Sequence, residues 1–228
     1  MIVPIQRWGI GDIIFEMTLV KAFNEPIMWV VELSFLEGLK RAYPDIQFTH
    51  LPNLPLGYDD QRREDYRVGT NHFLPLRWAD VMLNLPYMHC MKAKYLLYGL
   101  DWQDWKRDAM FQRDKEQETR LQTVLGIRSG EPYNLINRTF RTNNTGKADI
   151  LYYNGLRNIE MSTLEGFSLF DWAAIIENAT EIHTVSTSII YILELLELKI
   201  PIHLYPRLPD EGDFKNVDYL FTKPYILH

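Results

Sequence analysis

A chain of 228 residues, 46% of them hydrophobic and 24% charged, can bury one large core or two compact ones. Its formal charge of −6 runs against non-specific nucleic-acid binding, which asks for a basic field. A single cysteine, Cys90, excludes an internal disulfide and a cysteine zinc site, and points to a reducing, cytoplasmic setting.

Met1 to Gln6 lacks the basic region and apolar run of a secretory signal. No stretch approaches the roughly 20 apolar residues of a membrane helix, so no integral membrane segment is expected. The sequons at Asn137, Asn143 and Asn178 are therefore read as chance matches.

The first half reads as strand and helix in alternation. Ile2 to Ile5 is a short apolar run, fit for a buried first strand. Trp8-Gly9-Ile10-Gly11-Asp12 follows, and its two glycines permit a tight loop. A helix then runs to about Phe23, with Ile13, Met17 and Val20 on its inner face. Asn24-Glu25-Pro26 breaks it. Ile27 to Val31 is a second strand, Ser34 to Tyr43 a second helix, and Ile46 to His50 a third strand. That order implies a parallel sheet with right-handed crossovers.

Leu51 to Arg67 is proline-rich and then charged, and reads as a loop or insertion. Phe73 to Leu76 returns to the sheet. Met91 to Tyr98 and Trp102 to Arg107 are short aromatic-rich helices, and Asp114 to Leu125 is a clearer one. Ser129-Gly130-Glu131-Pro132 is the candidate linker, which gives domains 1–130 and 131–228. Beyond it, Tyr133 to Ile136, Asp149 to Tyr153 and Ile159 to Met161 are strand-like. Leu169 to Ala179 is a helix, Glu181 to Val185 a strand, Ser188 to Leu198 an apolar helix, and Pro201 to Tyr205 a strand. No internal repeat or low-complexity segment interrupts this order.

Four places can carry chemistry. Ligands of a parallel sheet bind beyond the carboxyl ends of its strands, and the Gly11-Asp12 loop follows strand one. Asp12 can take a proton there, or cap the next helix. The loop is neither a G-x-G-x-x-G dinucleotide motif nor a P-loop. Val185-Ser186-Thr187-Ser188 opens an apolar helix, and can hold a phosphate or simply cap. Arg138, in Asn137-Arg138-Thr139-Phe140-Arg141, can neutralise a diphosphate or belong to a solvated basic loop. Glu160 can accept bonds from ribose hydroxyls or stand as a surface carboxylate.

Other features read as structural. Asp59-Asp60 is taken as solvated, and Asp101 as opening a helix. The six histidines are dispersed without ligand spacing, so no metal site is expected, and His183 reads as a structural strand residue. Trp78, Tyr87, Tyr95, Tyr98, Trp102 and Trp105 read as a packing cluster rather than a sugar-stacking surface.

Taken together, Gly11-Asp12-Ile13-Ile14-Phe15, the run Leu39-Lys40-Arg41-Ala42-Tyr43-Pro44-Asp45-Ile46, and the strand, hydroxyl turn and apolar helix of Glu181 to Tyr205 resemble glycosyltransferase family 9. This is the ADP-heptose:lipopolysaccharide heptosyltransferase type within the GT-B group. The resemblance covers the first 50 residues and about 170 to 205. It implies an α/β fold of two Rossmann-like domains with parallel sheets and a cleft between them. It implies a metal-independent hexosyl- or heptosyltransferase without a cofactor, whose partners are a nucleotide diphosphate sugar and a glycan or other hydroxyl acceptor. Asp12 would be the base, and Gly11, Arg138, Glu160, Ser186, Thr187 and Ser188 would hold the donor. A sugar-nucleotide epimerase, or a non-catalytic nucleotide- or protein-binding module, are the other readings.

Overall fold

A computed structural model describes residues 1–51, 53–86, 90–140, 146–150, 152–207 and 220–228. The chain divides into two compact units, Met1–Gln112 and Arg113–His228.

The first unit runs β1 (Ile2–Pro4), α1 (Ile10–Lys21), β2 (Met28–Val30), α2 (Leu33–Ala42), β3 (Gln47–Thr49), β4 (Tyr66–Val68) and β5 (Asn71–Leu74). Then come a 3-10 turn (Leu76–Trp78), α3 (Ala79–Met82), α4 (Cys90–Leu96) and a second 3-10 turn (Trp102–Lys106). β1 pairs in parallel with β5, and β2 with β3. A parallel bridge from Ile2 to Ile27 joins the two ladders. The resulting order is β3-β2-β1-β5-β4, in which only β4 runs antiparallel, at the edge. Gly69, at φ 59°, makes the tight turn from β4 to β5.

β1 is buried on both faces, which is why it reads as an unbroken apolar run. α1 is buried almost all round, from Ile13 to Val20, and not only along the expected stripe. The residues of α4 and the second 3-10 turn cover its outer side. Phe15 packs edge-on to Tyr95 with centroids 5.0 Å apart, and lies 5.6 Å from Trp105. Tyr95 donates to the Phe15 carbonyl at 2.6 Å, and Thr18 to the Trp105 carbonyl at 2.7 Å. The aromatic set thus packs in part as expected. Trp78 and Trp102 instead lie under cations, and Tyr87 falls outside the described residues.

The second unit runs α5 (Lys115–Val124), β6 (Tyr133–Asn137), β7 (Thr139–Phe140), β8 (Gly146–Lys147), β9 (Arg157–Glu160), a 3-10 turn (Leu169–Trp172), α6 (Ala173–Asn178), β10 (Glu181–Val185), α7 (Ile189–Leu195), β11 (Ile202–Tyr205) and β12 (Tyr225–Leu227). Five strands form one parallel sheet in the order β12-β11-β10-β6-β9.

Two sequence expectations differ here, and one strand was not expected. The expected boundary at 130/131 leaves α5 in the first domain, whereas the chain divides at 112/113. α5 packs on α6 and its preceding 3-10 turn, with Leu121 fully buried. Arg113 fixes it, pairing with Glu118 at 2.5 Å and with Glu177. Among the described residues of 149–153 there is no strand. Ala148 and Ile150 instead fill a cluster with Ile136, Phe140 and Val185. β12 had no sequence expectation at all. Buried Glu194 holds its approach, accepting from Thr222 Oγ1 at 2.7 Å and from the Tyr225 hydroxyl at 2.7 Å. Among the described residues no helix is long and apolar enough to cross a membrane.

Candidate functional site

Each sheet has a point where the chain stops adding strands on one side and starts on the other. In the first unit β2 and β3 extend one side of β1, and β5 takes the other. In the second, β9 lies on one side of β6, and β10 to β12 on the other. Loops part at such points beyond the carboxyl ends of the strands, and open α/β sheets bind ligands in the crevice left there.

At the first point, Gly9 has φ 77° and starts α1 at Ile10. Asp12 therefore lies inside the first turn rather than at the cap, where the sequence reading had it. Gly11 is buried beside it. A Cβ on Gly9 would stand 2.3 Å from Asp12 Oδ2, so only glycine lets this carboxylate fold back over the loop. Lys94 donates to Asp12 Oδ1 at 2.5 Å and stands 2.6 Å from Glu16 Oε1. The Asp12 side chain is 36% exposed, against 4% for Lys94 and 0% for Glu16.

One cation thus faces two carboxyl groups. Burial pushes the Glu16 carboxyl up to about 8; Lys94 opposes the shift and Asp12 adds to it. Burial also works against the Lys94 ammonium, but Asp12 and Glu16 outweigh it and hold Lys94 above the usual lysine range. Below pH 8 Glu16 keeps its proton, and the lysine charge is left to the solvent-facing Asp12.

The same edge carries Trp8, covered by Arg7 at 3.9 Å and Arg77 at 4.5 Å. Arg7 pairs with Asp60 at 3.3 Å, so Asp60 is held in the fold and not free in solvent as the sequence reading had it. No spacing rule signals Lys94 or Arg77, because their partners come from other elements.

At the second point, Asn137 ends β6 and reaches across to β10. Its Nδ2 donates to Thr184 Oγ1 at 2.9 Å and to Thr187 Oγ1 at 3.1 Å. Asn137 is buried, which fits the chance reading of its sequon. Asn143 and Arg141 lie outside the described residues. Ser186 is buried, and its carbonyl accepts from Arg207 Nε at 2.7 Å. Ser188 precedes α7 but makes no side-chain cap bond, leaving its hydroxyl out of the capping role.

Arg138 donates to Glu160 Oε2 at 2.9 Å, and Lys147 stands 2.7 Å from Glu160 Oε1. The hydrogen bond from Lys147, and then Arg138, hold the Glu160 carboxyl below the usual carboxylate range. Both its oxygens face cations, so Glu160 orients Arg138 and Lys147. The fold therefore joins Arg138 to Glu160 and ties Thr187 to Asn137, while Gly11 and Asp12 belong to the first unit.

No protein-family model matches the chain, and no curated protein matches it by sequence. Solved structures match by fold, and two of them are glycosyltransferases. One is a family 9 glycosyl transferase from Veillonella parvula, with a TM-score of 0.56 at 10% identity, covering 100% of this chain and 86% of that one. The other is the iron-containing dodecameric glycosyltransferase TibC from enterotoxigenic E. coli, with a TM-score of 0.53 at 11% identity, covering 90% of this chain and 57% of that one. The fold resembles that of family 9 glycosyltransferases. The chain is thus mixed α/β with parallel sheets, as the sequence implies, and spans little more than half the length of TibC.

Two further features bear on the site. A hollow of about 530 Å³, lined by Gly126, Arg128, Ser129, Gly130, Glu131 and Arg157, lies before β6 and β9, at their amino ends. Arg157 is spent there on the Leu125 and Gly126 carbonyls, at 2.6 and 2.8 Å. The reading of the histidines as dispersed is corrected. Strand register makes His183 and His203 direct neighbours, with Glu181 beside them.

Proposed function

We propose that the chain is a glycosyltransferase that moves a sugar from a nucleotide diphosphate donor to a hydroxyl acceptor. The observation that carries this reading is that a reactive side chain stands at the switch point of each sheet. Asp12 offers an exposed carboxylate oxygen. Arg138, Lys147, Thr187 and Ser188 offer donors for an anion.

In this reading Asp12 accepts the proton of the acceptor hydroxyl. The hydroxyl oxygen attacks the anomeric carbon as the bond from that carbon to the diphosphate oxygen breaks. The diphosphate leaves with both electrons of that bond, and Arg138 and Lys147 offset its charge with the hydroxyls of Thr187 and Ser188. Glu160 keeps the two cations aligned. Gly11 serves by its small size, letting backbone approach the loop. These donors stand in for a divalent ion, so the transfer is metal-independent in this proposal. We place the reaction in the cytoplasm, in keeping with the single reduced thiol.

A second reading has one observation behind it. The Lys94 ammonium occupies Asp12 Oδ1 at 2.5 Å, which suits a nucleotide-binding module that performs no transfer. Thermal shift with nucleoside diphosphates, combined with turnover of nucleotide sugars, separates the two. The transferase should be stabilised by a nucleoside diphosphate and turn over a donor. Asp12→Asn should lower that turnover by about 100-fold or more and leave the thermal shift intact. Undiminished turnover in Asp12→Asn would sink the base assignment, and a shift without turnover of any donor would leave the module.

A further inference from the structure

β10 and β11 carry a second cluster of reactive groups, below the carboxyl edge. Side chains two apart on a strand share a face, so Glu181 and His183 project together. Parallel register pairs His183 with His203. The two imidazoles consequently stack, with centroids 4.4 Å apart and planes at 9°. Glu181 Oε2 lies 3.4 Å from His183 Nε2 and 3.8 Å from His203 Nε2. One ligand atom from each residue falls within 4.8 Å of the other two.

These atoms are short of partners. His183 is fully buried, and its Nε2 accepts and donates nothing. Glu181 Oε2 is also buried without a hydrogen bond. Buried polar atoms are nearly always paired, and these two face each other at 3.4 Å without a hydrogen bond, leaving a place that a third species can fill.

The outer atoms, in contrast, are occupied. His183 Nδ1 meets the Tyr205 hydroxyl at 3.0 Å, and His203 Nδ1 meets His228 Nε2 at 2.9 Å. With each Nδ1 carrying the proton, both Nε2 atoms keep a lone pair for a ligand on the Glu181 side, the protonation pattern of metal-bound histidine. Tyr152 packs against the His183 ring, with centroids 3.8 Å apart. Burial first, and then the neighbouring imidazole, push His183 down to about 4 and lower His203 as well.

The spacing fits as well. Two ligands on bonds of about 2.0–2.1 Å to a tetrahedral ion stand roughly 3.3–3.4 Å apart. The distances of 3.4 and 3.8 Å from Glu181 Oε2 are near that spacing, and turning the stacked rings toward each other brings both Nε2 atoms onto one ion. Two imidazoles and a carboxylate suit zinc and its transition-metal neighbours; magnesium and calcium take all-oxygen cages.

We propose that Glu181, His183 and His203 form a binding site for a divalent transition-metal ion of the zinc class, with solvent completing its coordination. The ion clamps β10 to β11 and satisfies the two open atoms. It has no step in the sugar transfer proposed above and stands independently of that reading.

The test uses the full chain without a tag, stripped with chelator. Calorimetric titration with Zn²⁺ should give one ion per chain, and titration with Mg²⁺ should give none. Co²⁺ should produce the intense visible bands of a four- or five-coordinate site. Zn²⁺ should raise the melting temperature by linkage. Glu181→Gln and His203→Gln should each weaken Zn²⁺ by at least about tenfold. His50→Gln, on another element, should not. Both ligand variants are partly exposed positions, and circular dichroism checks that each remains folded. Failure to bind Zn²⁺ stoichiometrically would overturn the site. So would Zn²⁺ affinity unchanged in folded Glu181→Gln and His203→Gln.

Discussion

Asp12 takes its position from Gly9 and its charge environment from Lys94. Gly9→Ala puts a Cβ in the left-handed region and 2.3 Å from Asp12 Oδ2, so something must shift. We expect a loss of about 1–3 kcal/mol in urea unfolding, together with a fall in donor turnover. Glu16 makes a second prediction through pH. Its carboxyl moves from 4.5 up to about 8, so the folded state holds a proton that the unfolded chain has released. That stability is fully present below 4.5 and is lost as pH rises through 8. His183, moved from 6.5 down to about 4, acts in the opposite sense between those values. The window from 6.5 to 8 therefore reports Glu16. Unfolding free energy should fall across it, and Glu16→Gln should flatten the slope.

Elements are held by a few buried polar bridges as well as by apolar packing. Asn137 ties β6 to the turn after β10 through Thr184 and Thr187. Asn137→Ala leaves both hydroxyls short of a donor, and we expect about 1–3 kcal/mol of lost stability with a smaller nucleoside diphosphate shift. Arg113 holds α5 through Glu118, whose side chain is only 2% exposed. Arg113→Ala leaves that carboxylate buried with Lys115 alone, 3.3 Å away on an exposed stem. Denaturant titration should show about 2 kcal/mol or more lost. Asp114, which caps α5 by accepting from Gln117 N at 3.1 Å, is a milder case: Asp114→Ala should cost about 1 kcal/mol.

The two units each bury their own core, one around β1 and α1 and the other around β6 and β10. A ligand at one sheet edge therefore need not stiffen the other unit. Hydrogen exchange offers a direct reading of where the donor binds. A nucleoside diphosphate should slow exchange at the ends of β6 and β9 and through Ser186–Tyr191. The amides of β1 to β3 should be unaffected. Protection confined to the first unit would remove the donor assignment from Arg138, Thr187 and Ser188.

Much of the fold was legible in the chain. β1 and β2 are apolar runs and β3 alternates, with Asn24-Glu25-Pro26 and Pro44-Asp45 ending the helices before β2 and β3, and the structure places strands within a residue or two of each. Such signals survive because alternation, glycine and proline act on backbone within a few residues of themselves. Asp12 and the Ser186–Ser188 turn stand out in the sequence the same way, since they follow strands. The partners were not legible. Lys94 meets Asp12 across 82 residues, and Asn137 meets Thr187 across 50. Glu181 and His183 share one strand, but His203 lies on another and becomes their neighbour only when β11 settles in register beside β10. Pairings of that kind depend on strand order and burial, which the packed chain fixes and a linear spacing does not encode.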